Sequence, residues 1–336
     1  MGLEKLPEVT NEQWMEVNEF NRKITEEFLN ESIQLSDKSL KQYRSSLRIF
    51  FHWVKENLGN KSLLEIKSRD FLMYQNFLTR RGLSSSGIKF KRAAVSSLNG
   101  YVLTFYEDEY PMFKNFITKK IAAPPNAFVH RKEPLTIEEY RNLVSELEKK
   151  EEWQALAYLK FSFATGCRRE EARQLLKEVA DYIPIEKEIE VRNEDGTIEK
   201  RIAKTILTHD IRCKGRGKVG KVRKLQFDEE ALNAIKKWLE VRGDDDCPYV
   251  FVSRLKENVR QVSENTFNLW CKTKFEPIVG RRFYPHAIRS SRASSLVVEN
   301  NKDIRVAQKL LGHESSTTTE IYVIRKDADS SDEAFV

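Results

Sequence analysis

Two adjacent prolines, Pro124 and Pro125, constrain this 336-residue chain more than any other feature. They stand in Ala122-Ala123-Pro124-Pro125-Asn126. Proline lacks the amide donor and holds its predecessor out of the α region, so no helix continues through the pair. Arg131, Lys132 and Pro134 follow, and the break spans about Thr118 to Pro134. The chain is therefore expected to divide into residues 1–120, a linker at 121–134, and residues 135–336. Each flank is long enough to bury a core of its own.

Ahead of the break, from about Thr10 to Phe116, the pattern is helical with polar punctuation and almost no strand signal. One helix is expected from roughly Asn11 to Asn30. In the next, Leu40, Tyr43, Leu47, Phe50, Phe51 and Val54 recur at helical spacing and make an apolar face, while Lys38, Lys41, Arg44 and Arg48 recur on another. A helix from about Arg69 to Arg80 has Ser68 as its expected N-cap and Gly82 just past its end. Another follows Ser84-Ser85-Ser86, with Lys89, Lys91 and Arg92 in its first turns and Ile88, Val95, Leu98, Val102 and Phe105 expected to face inward. A single basic helix face is ordinarily a solvated surface. Two of them on one small bundle point to phosphate contact, because each neutralised phosphate releases counterions.

Charge agrees with that partner. The net charge is +7 and the pI about 9.0, which favours a polyanion, most simply nucleic acid. Cys167, Cys213, Cys247 and Cys271 show no CxxC spacing, so neither a zinc site nor a disulfide framework is indicated, and a reducing, cytoplasmic compartment fits. No apolar run approaches membrane-spanning length, the N-terminus lacks a signal-peptide pattern, and Leu6 stands where a myristoylation signal needs Ser or Thr.

Beyond the break, Thr136 opens a capping box with Glu139, and Leu135 is placed to staple against Tyr140. A helix to about Lys150 and an apolar, buried one from Trp153 to Ala164 follow. Ile189 and Val191 alternate with Glu188 and Glu190 as a half-buried strand; Asn193-Glu194-Asp195-Gly196 makes a turn, and a return strand begins near Thr197-Ile198. Next comes Cys213-Lys214-Gly215-Arg216-Gly217-Lys218-Val219-Gly220-Lys221-Val222-Arg223, a glycine-rich basic loop between strands. Pro285 opens a helix carrying His286 and Arg289. Leu310-Leu311-Gly312-His313 ends another, one of Ser315 to Thr318 caps a last one, and Tyr322 closes it.

Read in order, Arg168, then His286-x-x-Arg289, then His313, then Tyr322 supply two guanidiniums to hold a phosphate, imidazoles to move protons and a phenol to attack. No acidic cluster or His/Cys spacing suited to a catalytic metal accompanies them, and no cofactor is expected. Thr-Gly-x-Arg at Arg168, the HxxR and the Gly-His…Tyr segment together resemble the tyrosine recombinase (phage integrase) family, over roughly Ser36 to Arg325. The resemblance implies a mostly α fold with a small antiparallel β-sheet: a helical, SAM-like core-binding domain followed by an α+β catalytic domain. It implies that Arg168, supported by Glu171, and Arg289 bind the scissile phosphate with His313, that His286 serves as base and that Tyr322 is the nucleophile. An active-site lysine is implied in the basic loop. Lys214 matches best, with Lys218 and Lys221 as alternatives, and Arg169 competes with Arg168. The activity implied is site-specific DNA recombination through a 3′-phosphotyrosyl link, by a tetramer on double-stranded DNA. A non-cutting DNA-binding regulator on the same fold is the second reading, and a topoisomerase or telomere resolvase the third.

Overall fold

A computed structural model describes residues 6–125, 133–192, 197–213, 220–255, 258–320 and 322–323. Packing divides the chain into two compact units, the main break falling between residues 130 and 131.

The first unit is helical: α1 (Asn11–Met15), α2 (Glu19–Glu31), α3 (Asp37–Leu58), α4 (Ser68–Arg80) and α5 (Ser85–Phe105). The apolar face of α3 forms its centre, with Leu47, Phe50, Phe51 and Val54 fully buried. Phe50 meets Tyr74 of α4 edge-on, ring centroids 4.9 Å apart, and Phe71 at 6.2 Å. Buried rings of this size contribute roughly 1.5–3 kcal/mol each. Ser36 caps α3 by accepting the Ser39 N–H, and Gly59 (φ 65°) ends it.

Three local expectations are corrected here. The single helix from Asn11 to Asn30 is broken between α1 and α2. Asn18 caps α2 and donates its backbone N–H to Asn60 Oδ1 at 2.8 Å, which draws the chain out of helix while Val17 is buried. At α4 the cap is Lys67, not Ser68, because the Asp70 carboxylate reaches back to the Lys67 N–H at 3.0 Å. Phe105 is 68% exposed: it is the last residue of α5 and lies beyond the core, against the Tyr101 ring.

The second unit is built around α7 (Trp153–Thr165), whose expected burial is complete along most of its length. Tyr158 of α7 stacks on Phe267 at 4.1 Å and meets Phe251 and Trp270 edge-on. Around it lie α6 (Ile137–Lys149), α8 (Arg169–Arg173), α9 (Glu229–Arg242), α10 (Glu264–Trp270), α11 (Glu276–Val279) and α12 (Pro285–Ser294). The capping box of Thr136 with Glu139 is present, and Leu135 and Tyr140 share the core. Two short helices, α13 (Ile304–Leu311) and α14 (Ser316–Glu320), complete the described residues; Ser315 accepts the Thr318 N–H at 3.3 Å. Helices α9 to α11 had no counterpart in the sequence reading.

All strands pair antiparallel, in three small sheets among the described residues: β1 (Ile185–Arg192), β2 (Ile198–Leu207) and β5 (Gln226–Phe227); β3 (Ile211–Cys213) with β4 (Lys221–Arg223); and β6 (Val252–Leu255) with β7 (Asn258–Gln261). The register Ile185↔Thr205 to Arg192↔Ile198 makes β1 and β2 a long hairpin. Its turn, 193–196, lies outside the described residues. The expectation of a half-buried strand is corrected: residues 185–190 are exposed on both faces, and among the described residues of the hairpin burial is reached only near its base, at Ile206 of β2. Cross-strand pairs Glu188–Lys200 and Glu186–Lys204 line one face at the surface, where such pairs contribute little.

Phe50→Ala is expected to destabilise the first unit by about 3–5 kcal/mol through the cavity it leaves. Urea denaturation followed by circular dichroism checks this, and an unchanged first transition would refute the assignment of Phe50 to the centre of that core.

Candidate active site

Arg289 is the most buried of the sequence-predicted site residues, with no exposed surface. Pro285 at the first position of α12 needs no N–H partner there, and the helix carries Arg289 inward one turn later. Its guanidinium donates to the carbonyl of Gly166, to the carbonyl of Leu311 at 2.8 Å, and to His313 Nε2 at 2.8 Å. Both carbonyls belong to helix C-terminal ends, of α7 and α13, where carbonyls lack intrahelical donors and the helix dipole is negative. Burial, then the nearby charge of Arg168, pulls its pKa down to about 10, so it stays charged at neutral pH. Among the described residues, the buried Nε–H has no hydrogen-bond partner.

Left-handed glycines make both helix ends possible. Gly166 (φ 59°) ends α7, and a Cβ there would come 2.4 Å from Leu311 Cδ2. Gly312 (φ 66°) ends α13, and a Cβ there would meet Arg223 Nη1 at 2.5 Å. Only glycine adopts this backbone without strain while allowing so close an approach.

Arg168, two residues beyond Gly166, is the N-cap of α8. Glu171, 1% exposed, accepts the Arg168 backbone N–H at 3.0 Å, Arg168 Nη1 at 2.9 Å and Arg223 Nη2 at 3.2 Å. Burial opposes ionisation of this carboxyl, but the Arg168 backbone N–H and the charges of Arg223 and Arg168 outweigh it and hold the pKa below the usual value. Arg169, the competitor, pairs instead with Glu264 at 3.0 Å.

His313 follows Gly312 and is 9% exposed. A guanidinium only donates, so His313 Nε2 accepts from Arg289; the ring proton then sits on Nδ1 and donates to Thr319 Oγ1 at 3.0 Å. Burial, then Arg289, Arg168 and Arg223, lowers its pKa to about 4, which leaves the ring neutral at physiological pH. Tyr322 packs beside it, ring centroids 4.9 Å apart, with the Arg289 guanidinium 5.5 Å from the Tyr322 ring. The Tyr322 hydroxyl lies 3.2 Å from His286 Nε2, and the two rings meet edge-on at 5.4 Å. Ser294 of α12 donates to the Tyr322 carbonyl at 3.3 Å.

The described structure thus brings Arg168, Glu171, Arg289, His313, His286 and Tyr322 together. Lys214 and Lys218 lie outside the described residues. Lys221, on β4, forms an ion pair with Glu314. On the first unit, Lys38 and Lys41 are exposed and Lys89 half-buried. Burial lowers the pKa of Lys91. The remaining basic residues there also have structural partners: Arg44 pairs with Glu26 at 2.9 Å, Arg48 bonds Asn11 and lies over Trp14, and Arg92 bonds Gln75 and lies over Phe71. Sequence reasoning missed Arg223 and Thr319. Arg223 counted only as one of five basic residues in a loop, and Thr319 was one of three identical threonines.

The phage integrase family model matches residues 133–328, and the N-terminal SAM-like domain of phage integrases matches residues 26–103. The chain is 34% identical over 337 residues to the SPbeta prophage-derived recombinase-like protein YomM of Bacillus subtilis (strain 168), covering 99% of this chain and 96% of that protein. To tyrosine recombinase XerA of Thermococcus onnurineus (strain NA1) it is 27% identical over 279 residues, covering 83% and 84%. Its fold is similar to that of XerH site-specific recombinase bound to palindromic difH substrate, with TM-score 0.63 at 19% identity over 99% of this chain and 98% of that one. It is similar too to the Tn1549 transposon integrase in complex with circular intermediate DNA, with TM-score 0.62 at 15% identity over 93% and 97%.

Neutral His313 has a consequence for stability. From its ordinary pKa of 6.5 down to about 4, the unfolded chain takes up a proton at this ring that the folded chain resists. Stability is therefore expected to fall as pH drops through that window, and His313→Gln to flatten the decline. Urea midpoints across the window test it; equal pH slopes in the two proteins would rule it out.

Proposed function

Because the chain belongs to the phage integrase family of tyrosine recombinases, we propose that it is a site-specific DNA recombinase that cuts and rejoins double-stranded DNA through a 3′-phosphotyrosyl intermediate. The observation that carries this reading is the Tyr322 hydroxyl 3.2 Å from His286 Nε2, beside a fully buried Arg289 whose Nε–H has no partner among the described residues. A phenol attacks as its oxyanion and so needs a base to take its proton, and His286 is within hydrogen-bonding distance. As the Tyr322 oxygen bonds to phosphorus, the bond to the 5′ oxygen breaks. Lys214 is the proposed donor of the proton that this oxygen takes. Arg168 and Arg289 stabilise the charge on the non-bridging oxygens during the displacement.

His313 fits a different part from a direct phosphate donor in this arrangement. Its Nε2 accepts from Arg289 and so orients the guanidinium. The phosphotyrosyl link conserves bond energy, so a partner strand's 5′-hydroxyl reverses the step without a nucleotide cofactor. Residues 135–336 carry this chemistry and residues 1–120 grip the duplex, with Lys38, Lys41 and Lys89 as backbone contacts. Solved relatives bound to DNA, the XerH and Tn1549 complexes, support duplex DNA as the partner. Strand exchange between two sites calls for self-association, to a tetramer.

Incubation with a nicked suicide duplex carrying the cognate site is expected to give a covalent protein–DNA band on denaturing gels. Tyr322→Phe removes the band, and His286→Ala slows its formation by about 10²–10⁴-fold. Tight binding of the cognate site without any covalent band would overturn the recombinase reading and leave a non-cutting regulator.

A further inference from the structure

Arg223 on β4 makes three contacts that no other side chain of the site combines among the described residues. Nε donates to Cys213 Sγ at 3.3 Å, at the other end of the β3–β4 hairpin. Nη1 donates to the carbonyl of Leu310 at 2.9 Å, in the last turn of α13. Nη2 reaches Glu171 Oε2 at 3.2 Å. The guanidinium also lies against Gly312, leaving no room there for a Cβ.

Each partner leads to a different piece of the site. Cys213 and Lys221 pair as the last residues of the hairpin strands, so the loop that holds the lysine candidates emerges from them. Leu310 and Gly312 set the turn that presents His313, and through the Leu311 carbonyl the same turn holds Arg289. Glu171 anchors Arg168 by backbone and side chain. A planar guanidinium spans three such acceptors at fixed angles, whereas an ammonium concentrates its donors at one point.

We infer that Arg223 is a positioning residue for DNA cleavage: it ties the basic hairpin, the Gly312–His313 turn and the Arg168–Glu171 pair into one rigid frame without itself touching the phosphate. This rests on the recombinase reading above. Displacing a reacting group by about 1 Å costs on the order of 100-fold in rate, so loss of the frame should appear in the chemical step rather than in DNA affinity.

The test uses the full-length protein with Arg223→Lys and Arg223→Ala on the nicked suicide duplex. Single-turnover formation of the covalent band is expected to slow by about 10–100-fold in both variants, with DNA affinity within about threefold of the parent. Added guanidinium, at concentrations that leave the parent unaffected, is expected to restore cleavage in Arg223→Ala and not in Arg223→Lys, whose side chain occupies the space. Cleavage within about twofold of the parent would overturn the inference; so would parallel loss of binding and folding without rescue. A second readout does not depend on cleavage. The charged and titratable groups acting on the His313 ring are Arg289, Arg168, Arg223 and His286, with Tyr322 packed against it. Imidazole NMR should find the His313 midpoint raised in Arg223→Ala, and an unmoved midpoint would overturn the inference. If the parent forms no covalent band yet the His313 midpoint shifts, the recombinase reading fails while the frame around His313 stands.

Discussion

A guanidinium with no exposed surface has to be solvated by the protein, and the site depends on how that is done for Arg289. Removing a charge from water costs several kcal/mol unless fixed dipoles replace the lost hydration. Here the replacement is the C-terminal ends of two helices and the lone pair of a neutral histidine. The helix ends supply carbonyls with no intrahelical donor and the negative ends of two dipoles. From this follow the two left-handed glycines, since α7 and α13 must stop where their last carbonyls face one guanidinium. Neutrality of His313 follows as well, because a protonated ring could not accept from Arg289.

Around that centre the charges are deliberately unequal. Arg168, Arg223 and Arg289 lie close enough to act on one another and on His313, against one buried acid, Glu171. Glu171 is fully committed to Arg168 and Arg223, so the excess positive charge falls toward Arg289 and the face of Tyr322. Such an excess destabilises an empty site and suits an anionic one. The same excess adds to burial, the larger cause, in lowering the pKa values of Arg289 and His313.

The first unit solves a simpler problem. Its aromatic core accounts for most of its apolar residues, and several basic side chains on its surface are held by acids or rings of the same unit. Arg44, Arg48 and Arg92 therefore serve packing as well as charge, since long basic side chains bury their stems over apolar neighbours. A count of basic residues on a helix face reads the charge and not this second role.

Much of the fold could be read from local chemistry. The spacing of Leu47, Phe50, Phe51 and Val54 sets the face of α3, and Thr136 with Glu139 starts α6. The candidate site residues could be picked out because their order along the chain is distinctive. What the sequence could not settle depended on neighbours far away in it. Whether β1 was half-buried turned on what covers it. Where α1 stopped turned on Asn60, whereas α9 carries local signals of the same kind as α6, with Asp228 at its N-cap and Gly243 just past its end. The sequence by itself determined which side chains are available for the chemistry, since composition and order are local properties. Tertiary structure alone decided that Arg223 joins three parts of the site, that His313 faces Arg289 rather than solvent, and that Glu171 serves two arginines. Those are properties of charges brought within hydrogen-bonding distance across dozens of residues, and no local pattern encodes that proximity.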